Sequence, residues 1–551
     1  MKSSILNVWQ GMWRSHDQTK NLLNLFSTKG KNKKKIIEKE SNHTSMNKMP
    51  QGNKPNDAEK SYTKAQLIGL ILGPLLFASI LIFFSPEGMS HEAKSVLAVT
   101  LWVAIWWVTE AIPIPVASLL PIILLPITGA LDSNTVTAAY GNDIIFLFLG
   151  GFFIATAMEK WNLHKRMALA IIAVIGSSTQ RILLGFMIAT GFLSMWVSNT
   201  AAVMMMIPMG LAITAQVGSA LKGKPEEKEI PRFEKALIFG IGYAGTIGGL
   251  GTLIGTPPNI ILAAQVQELF DIEISFASWM MVAIPIVIIM LFSTWFYLGR
   301  FAFKMTIQGL PGGKKVIKEE RDALGKMTYE EKMVAIVFSV TAFLWISREF
   351  IWIHIFPDLK DGMIAIFATA LLFTIPAIKK SRILEWKDSK EIPWGILLLF
   401  GGGLAIAAGF RETGLSEWIG TQLTVLDGLN LIVVMALSAL LVLVLTEFTS
   451  NTATATMILP VLAALALSLD IHPFALMVPA AMAANCAFML PVGTPPNAII
   501  FGTGKIKIIE MVRVGFIINI FVLLLIITAV YYLLPLFWGI DLNMAPLEFF
   551  N

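Results

Sequence analysis

The stretch SNTATATMILP at residues 450–460 places a polar Ser-Asn-Thr tripeptide inside an apolar segment, and SNTAAVMMMIP at residues 198–208 does the same. The two copies start 252 residues apart, and a hydroxyl residue, Ser194 or Thr446, stands four residues before each serine. Motifs that recur at a fixed offset indicate an internal repeat. The sequence therefore predicts a chain built from two related halves.

A second motif, GTPPN, follows each tripeptide, at residues 255–259 and 493–497. Its copies are 238 residues apart, so the first half holds 14 extra residues between its motifs, which the charged segment 222–235 explains. Glycine can unwind a helix, threonine can cap the next one, and proline suits a first helical turn. Each GTPPN therefore predicts a broken membrane helix, in the segments 236–268 and 474–502.

The composition is that of a membrane protein, since 55% of the 551 residues are hydrophobic and only 14% are charged. Soluble proteins carry about 25% charged residues. Many segments approach the ~20 apolar residues that cross a bilayer, and we predict an all-α polytopic fold with about eleven transmembrane helices. The predicted spans are 65–84, 92–109, 113–130, 143–159, 236–268, 276–299, 332–350, 362–378, 394–410, 474–502 and 511–537.

Two further apolar segments, 182–216 and 430–468, carry SNT near their middles. We predict that each forms a re-entrant hairpin of two short helices with SNT at the turn. Non-helical backbone at membrane depth needs a protein-lined cavity, so this prediction implies a binding site. The alternatives are one long helix with a polar patch, or two full spans. A third SNT, at residues 133–135, lies in a short loop and is interpreted as a helix cap.

The distribution of lysine and arginine predicts the orientation of the chain. With the N-terminus cytoplasmic and each hairpin counted as no crossing, the predicted external segments hold only Lys94, Arg348, Lys360 and Arg411 of the 42 lysines and arginines. This arrangement satisfies the positive-inside rule and makes the C-terminus external. An odd number of predicted spans separates the hairpins, so they enter from opposite sides. Such an inverted-topology repeat is typical of secondary transporters.

The predicted divisions of the chain are a disordered cytoplasmic extension at 1–63, a first half at 64–300, a cytoplasmic linker at 301–331 and a second half at 332–540. The net charge of +5 reflects cytoplasmic lysines, and without a basic folded domain no nucleic-acid partner is expected. The single cysteine, Cys486, excludes an internal disulfide framework. No nucleophile, base or metal centre of a membrane enzyme is visible.

Each half has a polar centre, formed by its SNT and GTPPN motifs. The chemistry of these centres favours the binding of anions and sodium together. Amides at a helix start and the helix dipole attract anions, whereas hydroxyl, amide and freed carbonyl oxygens suit Na⁺. No lysine or arginine lies near either centre, and a dianion at membrane depth without a cation is costly. Co-bound Na⁺ would supply the missing charge. Beside the second SNT, Glu447 is interpreted as a hairpin anchor, with a coupling carboxylate as the alternative.

The paired motifs, together with TEFTSNTA at 446–453 and WWVTEAIPIPVASLLP at 106–121, resemble the divalent anion:sodium symporter family. They are most similar to its bacterial sodium-dependent dicarboxylate transporters, over about residues 64–540. The resemblance implies a homodimer in the lipid bilayer. It also implies that each protomer has a scaffold domain and a transport domain that moves like an elevator.

By position, the resemblance implies two sodium sites and one substrate site. Sodium site 1 would use Ser194, Ser198, Asn199 and Gly255, and sodium site 2 would use Thr446, Thr449, Asn451 and Gly493. Substrate carboxylates would meet Asn199, Thr200, Thr256, Ser450, Asn451, Thr452, Thr494 and Pro495. We therefore expect Na⁺-coupled symport of C4 dicarboxylates such as succinate, fumarate and malate. The alternatives are a dicarboxylate exchanger and a sulfate or citrate carrier of the same fold. A channel is a further alternative, although two broken-helix sites suit occlusion better than a continuous pore.

Overall fold

The computed structural model describes residues 62–175, 178–305, 313–378, 381–423 and 428–546. Within these ranges the protein is α-helical and contains no β-strand, only an isolated bridge between Pro376 and Arg382. Apart from its last two residues, the predicted extension 1–63 lies outside the described residues.

The described part of the chain forms helices joined by short connections. In the first half they are α1 (Lys64–Phe83), α2 (His91–Thr109), α3 (Ile114–Ala117), α4 (Leu120–Ile127), α5 (Ser133–Ala139), α6 (Asp143–Lys160), α7 (Leu163–Ile175), α8 (Thr179–Ser194), α9 (Asn199–Leu221), α10 (Ile230–Gly249), α11 (Pro257–Phe270) and α12 (Phe276–Tyr297). Thereafter they are α13 (Gly313–Ala323), α14 (Tyr329–Ser347), α15 (Asp361–Thr374), α16 (Trp394–Glu412), α17 (Leu415–Leu423), α18 (Leu431–Thr446), α19 (Asn451–Ser468), α20 (Phe474–Ala484), α21 (Pro495–Gly502) and α22 (Ile508–Trp538). Short 3₁₀ or π turns occupy Pro225–Glu229, Leu298–Ala302, Trp352–His354 and Trp386–Glu391.

Eight helical segments of the described chain are long and apolar enough to cross a membrane, judged by length and composition. The all-helical membrane fold is thus confirmed, whereas the count of about eleven spans stays a prediction. The segment 113–130 differs from its predicted single helix, because it divides into α3 and α4. Pro115 and Pro121 each stand in the first turn of one of these helices, where a missing N–H costs little.

The repeat seen in the sequence sets the helix boundaries around the two SNT motifs. The bounds of α8 and α18 are displaced by 252 residues at both ends, and so are their N-caps, Ser178 and Asn430. The next helices begin at Asn199 and Asn451. Four residues therefore join each helix pair: the first tip, residues 195–198, and the second tip, residues 447–450.

Each GTPPN motif lies where a helix is interrupted. The first break, residues 250–256, separates α10 from α11, and the second break, residues 485–494, separates α20 from α21. Both following helices start with the two prolines of the motif. The prolines lack the N–H groups that a first turn leaves unpaired anyway, so they favour a new helix start over a continued helix.

The two halves interlock around these tips and breaks. Helix α9 of the first half packs on α21 of the second, and α19 packs on α11. Within the first half, α10 lies against α8, and Gly248 permits this approach because a Cβ there would fall 2.1 Å from the carbonyl oxygen of Gly191. The packing brings both tips and both breaks to one central region.

Candidate binding site

A cavity of about 700 Å³ lies where the tips and breaks meet. Its lining comes from both halves of the chain, so neither repeat could build it alone. All eight residues predicted to contact the substrate line it, namely Asn199, Thr200, Thr256, Ser450, Asn451, Thr452, Thr494 and Pro495. The structure therefore brings the predicted substrate residues together in one place.

The rest of the cavity lining comes mainly from α2, α6 and the segment that leads into α16. It is largely apolar, with Trp107, Phe148 and Phe152 among its residues, and the carboxylates Glu110, Glu159 and Glu391 also line it. Among the described residues that line the cavity, none is lysine or arginine. An anion held here must be stabilised by hydroxyls, amides, helix ends or a second ligand of positive charge.

The first tip carries a cluster of oxygen atoms at the end of α8. The Ser194 hydroxyl lies 2.5 Å from both Asn199 Oδ1 and the carbonyl oxygen of Gly245. The same terminal atom of the Asn199 amide is 3.2 Å from the carbonyl oxygen of Gly255 and 3.3 Å from that of Gly245. A nitrogen at that position would donate to both carbonyls, whereas an oxygen would make four oxygens converge, as a hard cation requires.

The second tip repeats this construction. The Thr446 hydroxyl lies 2.6 Å from Asn451 Oδ1 and 2.6 Å from the carbonyl oxygen of Ala484. Ala484 ends α20, and Gly245 lies in the last turns of α10, so each cluster draws one carbonyl from the helix before a break. Sequence reasoning missed both carbonyls because every residue has a backbone carbonyl, so the residue type does not show which ones take part.

Three of the predicted sodium ligands make other contacts. The Ser198 hydroxyl caps α9 by accepting from the Ala201 N–H at 3.2 Å. The Thr449 hydroxyl donates to the carbonyl of Leu445 at 2.7 Å. The Gly493 N–H donates to the carbonyl of Leu490 at 3.2 Å. All three residues nevertheless line the cavity.

The final asparagine of each GTPPN holds its break in shape. Asn259 Nδ2 donates to the carbonyls of Gly249, Leu250 and Thr252 at 2.8–3.2 Å. Asn497 Nδ2 donates to the carbonyls of residues 487 and 490, each at 2.9 Å. A helix end leaves carbonyls without intrahelical partners, and these amides supply the donors. Sequence reasoning missed this role, although the repetition of asparagine within GTPPN was its signal.

Glu447 fastens the second tip to the second break. Its fully buried carboxylate accepts from the backbone N–H groups of Phe488 at 2.9 Å, and of Met489 and Leu490 at 3.0 Å. Asn519 Nδ2 of α22 donates to it at 2.7 Å. The predicted anchoring role is confirmed by these contacts. The corresponding position of the first repeat holds Met195, so this anchor exists in only one half.

The third SNT forms the first turn of α5 and not the predicted loop, and the predicted helix cap is supplied by the residue before it. Asp132 caps α5 by accepting from the N–H groups of Asn134 and Thr135 at 2.8 and 3.2 Å. Asn134 is exposed. The tripeptide alone therefore does not make a site, and its position at a tip decides its role.

Comparison with known proteins finds relatives that match nearly the whole helical region. The family model described as the sodium:sulfate symporter transmembrane region matches residues 64–539. The sodium-dependent dicarboxylate transporter SdcS of Staphylococcus saprophyticus is 57% identical over 495 residues, which cover 89% of this chain and 95% of the relative. The transporter of the same name from Staphylococcus aureus strain USA300 is 57% identical over 497 residues, with coverage of 89% and 95%.

Two solved structures share the fold at low identity. Neisseria gonorrhoeae MtrF, described as illuminating a class of antimetabolite efflux pumps, gives a TM-score of 0.52 at 12% identity, over 85% of this chain and 94% of that one. The Alcanivorax borkumensis YdaH transporter, described as having an unusual topology, gives 0.53 at 14%, over 82% and 99%. These likenesses concern the fold alone. The extent of the family match and the identity to the staphylococcal relatives show that the chain belongs to the sodium:sulfate symporter family, the divalent anion:sodium symporters.

Proposed function

We propose that this protein is a secondary transporter that imports C4 dicarboxylates together with Na⁺. The observation that carries the proposal is the cavity between the tips, which gathers the eight expected substrate residues and contains no lysine or arginine among its described lining residues. Relatives that are 57% identical over most of the chain are named sodium-dependent dicarboxylate transporters, which supports both the ion and the substrate class.

A dicarboxylate in this cavity would meet the starts of four helices, α9, α11, α19 and α21. The first N–H groups of a helix are unpaired, and the helix dipole makes that end attractive to a carboxylate. Thr200, Thr452 and Thr494, each with a hydroxyl, line the same space. Since helices from both repeats contribute, we propose that each repeat receives one carboxylate of the dianion.

We propose a sodium site at each oxygen cluster. Site 1 consists of Ser194, Asn199 and the carbonyls of Gly245 and Gly255. Site 2 consists of Thr446, Asn451 and the carbonyl of Ala484. Ser198, Thr449 and Gly493 stay in the proposal as further ligands because each lies at the tip or break of its own repeat. Two cations beside the cavity would offset the cost of placing a dianion there.

The movement that carries the substrate is part of the same proposal. We propose that the helix pairs α8–α9 and α18–α19 are re-entrant hairpins that move with the broken helices as one transport domain. The short tips and the packing of each hairpin on the broken helix of the other repeat support this. We further propose a homodimer held by the remaining helices, with the N-terminus cytoplasmic and the C-terminus external.

Uptake of labelled succinate into proteoliposomes tests the proposed function. Succinate should enter under an inward Na⁺ gradient and stop when choline replaces Na⁺. If three sodium ions accompany each dianion, an inside-negative potential set by K⁺ and valinomycin should also accelerate uptake, since one net charge gains about 2.3 kcal/mol per 100 mV.

The alternatives give other results in the same vesicles. Uptake that persists in choline but requires internal dicarboxylate would identify an exchanger and refute the proposal. Unlabelled sulfate or citrate that competes better than succinate would identify a different carrier of this family. Uptake that needs Na⁺ but ignores the potential would retain the symporter and limit it to two sodium ions per dianion.

A further inference from the structure

Asn485 is the first residue of the second break and is 1% exposed. It does not line the cavity, and the sequence offers it only as a polar residue within the apolar run AANCAF at 483–488. Its side chain nevertheless joins the two repeats, because its amide contacts Thr256 of the first break and Asn259 of α11. These side-chain contacts lead to the proposed sodium site 1, whereas the backbone of Asn485 adjoins site 2.

On one side the backbone of Asn485 adjoins site 2. Its backbone nitrogen shares a peptide unit with the carbonyl of Ala484, the carbonyl that lies 2.6 Å from the Thr446 hydroxyl. A peptide unit is planar and stiff. Any displacement of the Ala484 carbonyl on sodium binding therefore moves the backbone of Asn485 as well.

On the other side the Asn485 amide holds the backbone that forms site 1. Its Oδ1 accepts from the Thr256 hydroxyl at 2.6 Å, and its Nδ2 donates to Asn259 Oδ1 at 3.2 Å. Thr256 follows Gly255, whose carbonyl belongs to site 1. Asn259 in turn donates to the carbonyl of Gly249 at the end of α10 and to two carbonyls of the first break. All three side chains are at most 3% exposed.

We infer that Asn485 is a positioning residue that couples the two sodium sites, so that occupancy of one raises the affinity of the other. This inference rests on the proposed sodium-coupled function. Buried polar groups are costly to leave unpaired, so the two breaks cannot change shape independently while these hydrogen bonds hold. Sodium that orders one break would therefore favour the binding-competent form of the other, which is positive cooperativity.

Equilibrium binding of ²²Na⁺ to the purified full-length protein, without dicarboxylate, tests this inference. The unaltered protein should bind sodium with a Hill coefficient clearly above one. Asn485→Ala should bind the same number of sodium ions with a coefficient close to one and a half-saturating concentration raised roughly fivefold or more. A purely structural defect would reduce the number of functional proteins but leave the shape of the curve unchanged.

Cys486→Ala is the matched control. Cys486 is the next residue and equally buried, and its thiol donates to the carbonyl of Met482 instead of to either site. This variant should bind sodium as the unaltered protein does. Thr256→Val removes the same hydrogen bond from the other side, and should also lower the coefficient. Combining it with Asn485→Ala should lower the coefficient no further, because both changes break one link.

Several results would overturn the inference. A normal Hill coefficient in Asn485→Ala, or in Thr256→Val if Asn485→Ala fails to fold, would show that the link does not couple the sites. A coefficient of one in the unaltered protein would show that there is no coupling to transmit. An unaltered protein that binds no sodium at all would refute the proposed function itself, which separates that failure from the failure of the link.

Discussion

Asn199→Ala and Asn451→Ala are each expected to reduce sodium-driven succinate uptake roughly ten- to more than a hundredfold, while the protein remains in the membrane. Each asparagine stands at the start of a helix, lines the cavity and contacts the hydroxyl of its oxygen cluster. Alanine removes an amide that the proposal assigns to substrate and sodium together. A hydrogen bond to a charged group contributes roughly 1.5–3 kcal/mol, which gives the expected range.

The chain supplies its own control in the third SNT. Asn134 has the same neighbours in sequence, but it is exposed at the start of α5 and lies outside the cavity lining. Asn134→Ala should transport normally in the same proteoliposomes. If Asn199→Ala or Asn451→Ala also transports normally at equal protein amounts, that tip is only a helix cap, and the shared-site proposal fails.

Glu447→Ala is expected to lower the stability of the protein by about 3 kcal/mol or more. The carboxylate accepts three backbone N–H groups of the second break and the amide of Asn519. Alanine leaves these donors without this acceptor, at a cost of roughly 1–3 kcal/mol for each that is fully buried, as the Phe488 N–H and the Asn519 amide are. Glu447→Gln should be intermediate, because it keeps one oxygen but turns an NH₂ group toward the donors.

Thermal unfolding in detergent, followed by size-exclusion chromatography with fluorescence detection, measures this effect. Met195→Leu is the matched control, since Met195 stands at the equivalent position of the first repeat and a volume-conserving apolar change usually costs under about 1.5 kcal/mol. Glu447→Ala should unfold at a clearly lower temperature than this control. Equal unfolding temperatures would mean that the second break is held by other contacts and that the anchor is dispensable.

The helix boundaries at the tips and breaks could be predicted because each of them has a cause in the local sequence. Two SNT motifs at one offset predicted where two helix pairs turn, and the helices beginning at Asn199 and Asn451 follow that offset. Glycine and proline predicted that a helix is interrupted at each GTPPN motif. The interruptions are the first break, residues 250–256, and the second break, residues 485–494. The segment 113–130 was predicted as one helix because it is almost continuously hydrophobic. Its prolines, which divide it into α3 and α4, were given too little weight.

The parts of the site that sequence could not predict depend on contacts between distant residues. The carbonyls of Gly245 and Ala484 meet their hydroxyls only after the broken helices pack against the tips. Asn485 meets Thr256, 229 residues away along the chain. Glu391, a carboxylate of the cavity lining, comes from the short 3₁₀ turn Trp386–Glu391, which carries no SNT or GTPPN motif. Pattern and propensity describe one segment at a time and contain no information on such pairs.

Sodium is expected to supply the positive charge that the cavity lining itself lacks. Equilibrium binding of labelled succinate to the purified protein, in Na⁺ and in choline at equal ionic strength, tests it most directly. We predict that succinate binds in Na⁺, that its half-saturating concentration falls as Na⁺ is raised, and that binding is lost in choline, since an uncompensated dianion at this depth is too costly. Succinate binding of equal affinity in choline would show that sodium does not supply this charge.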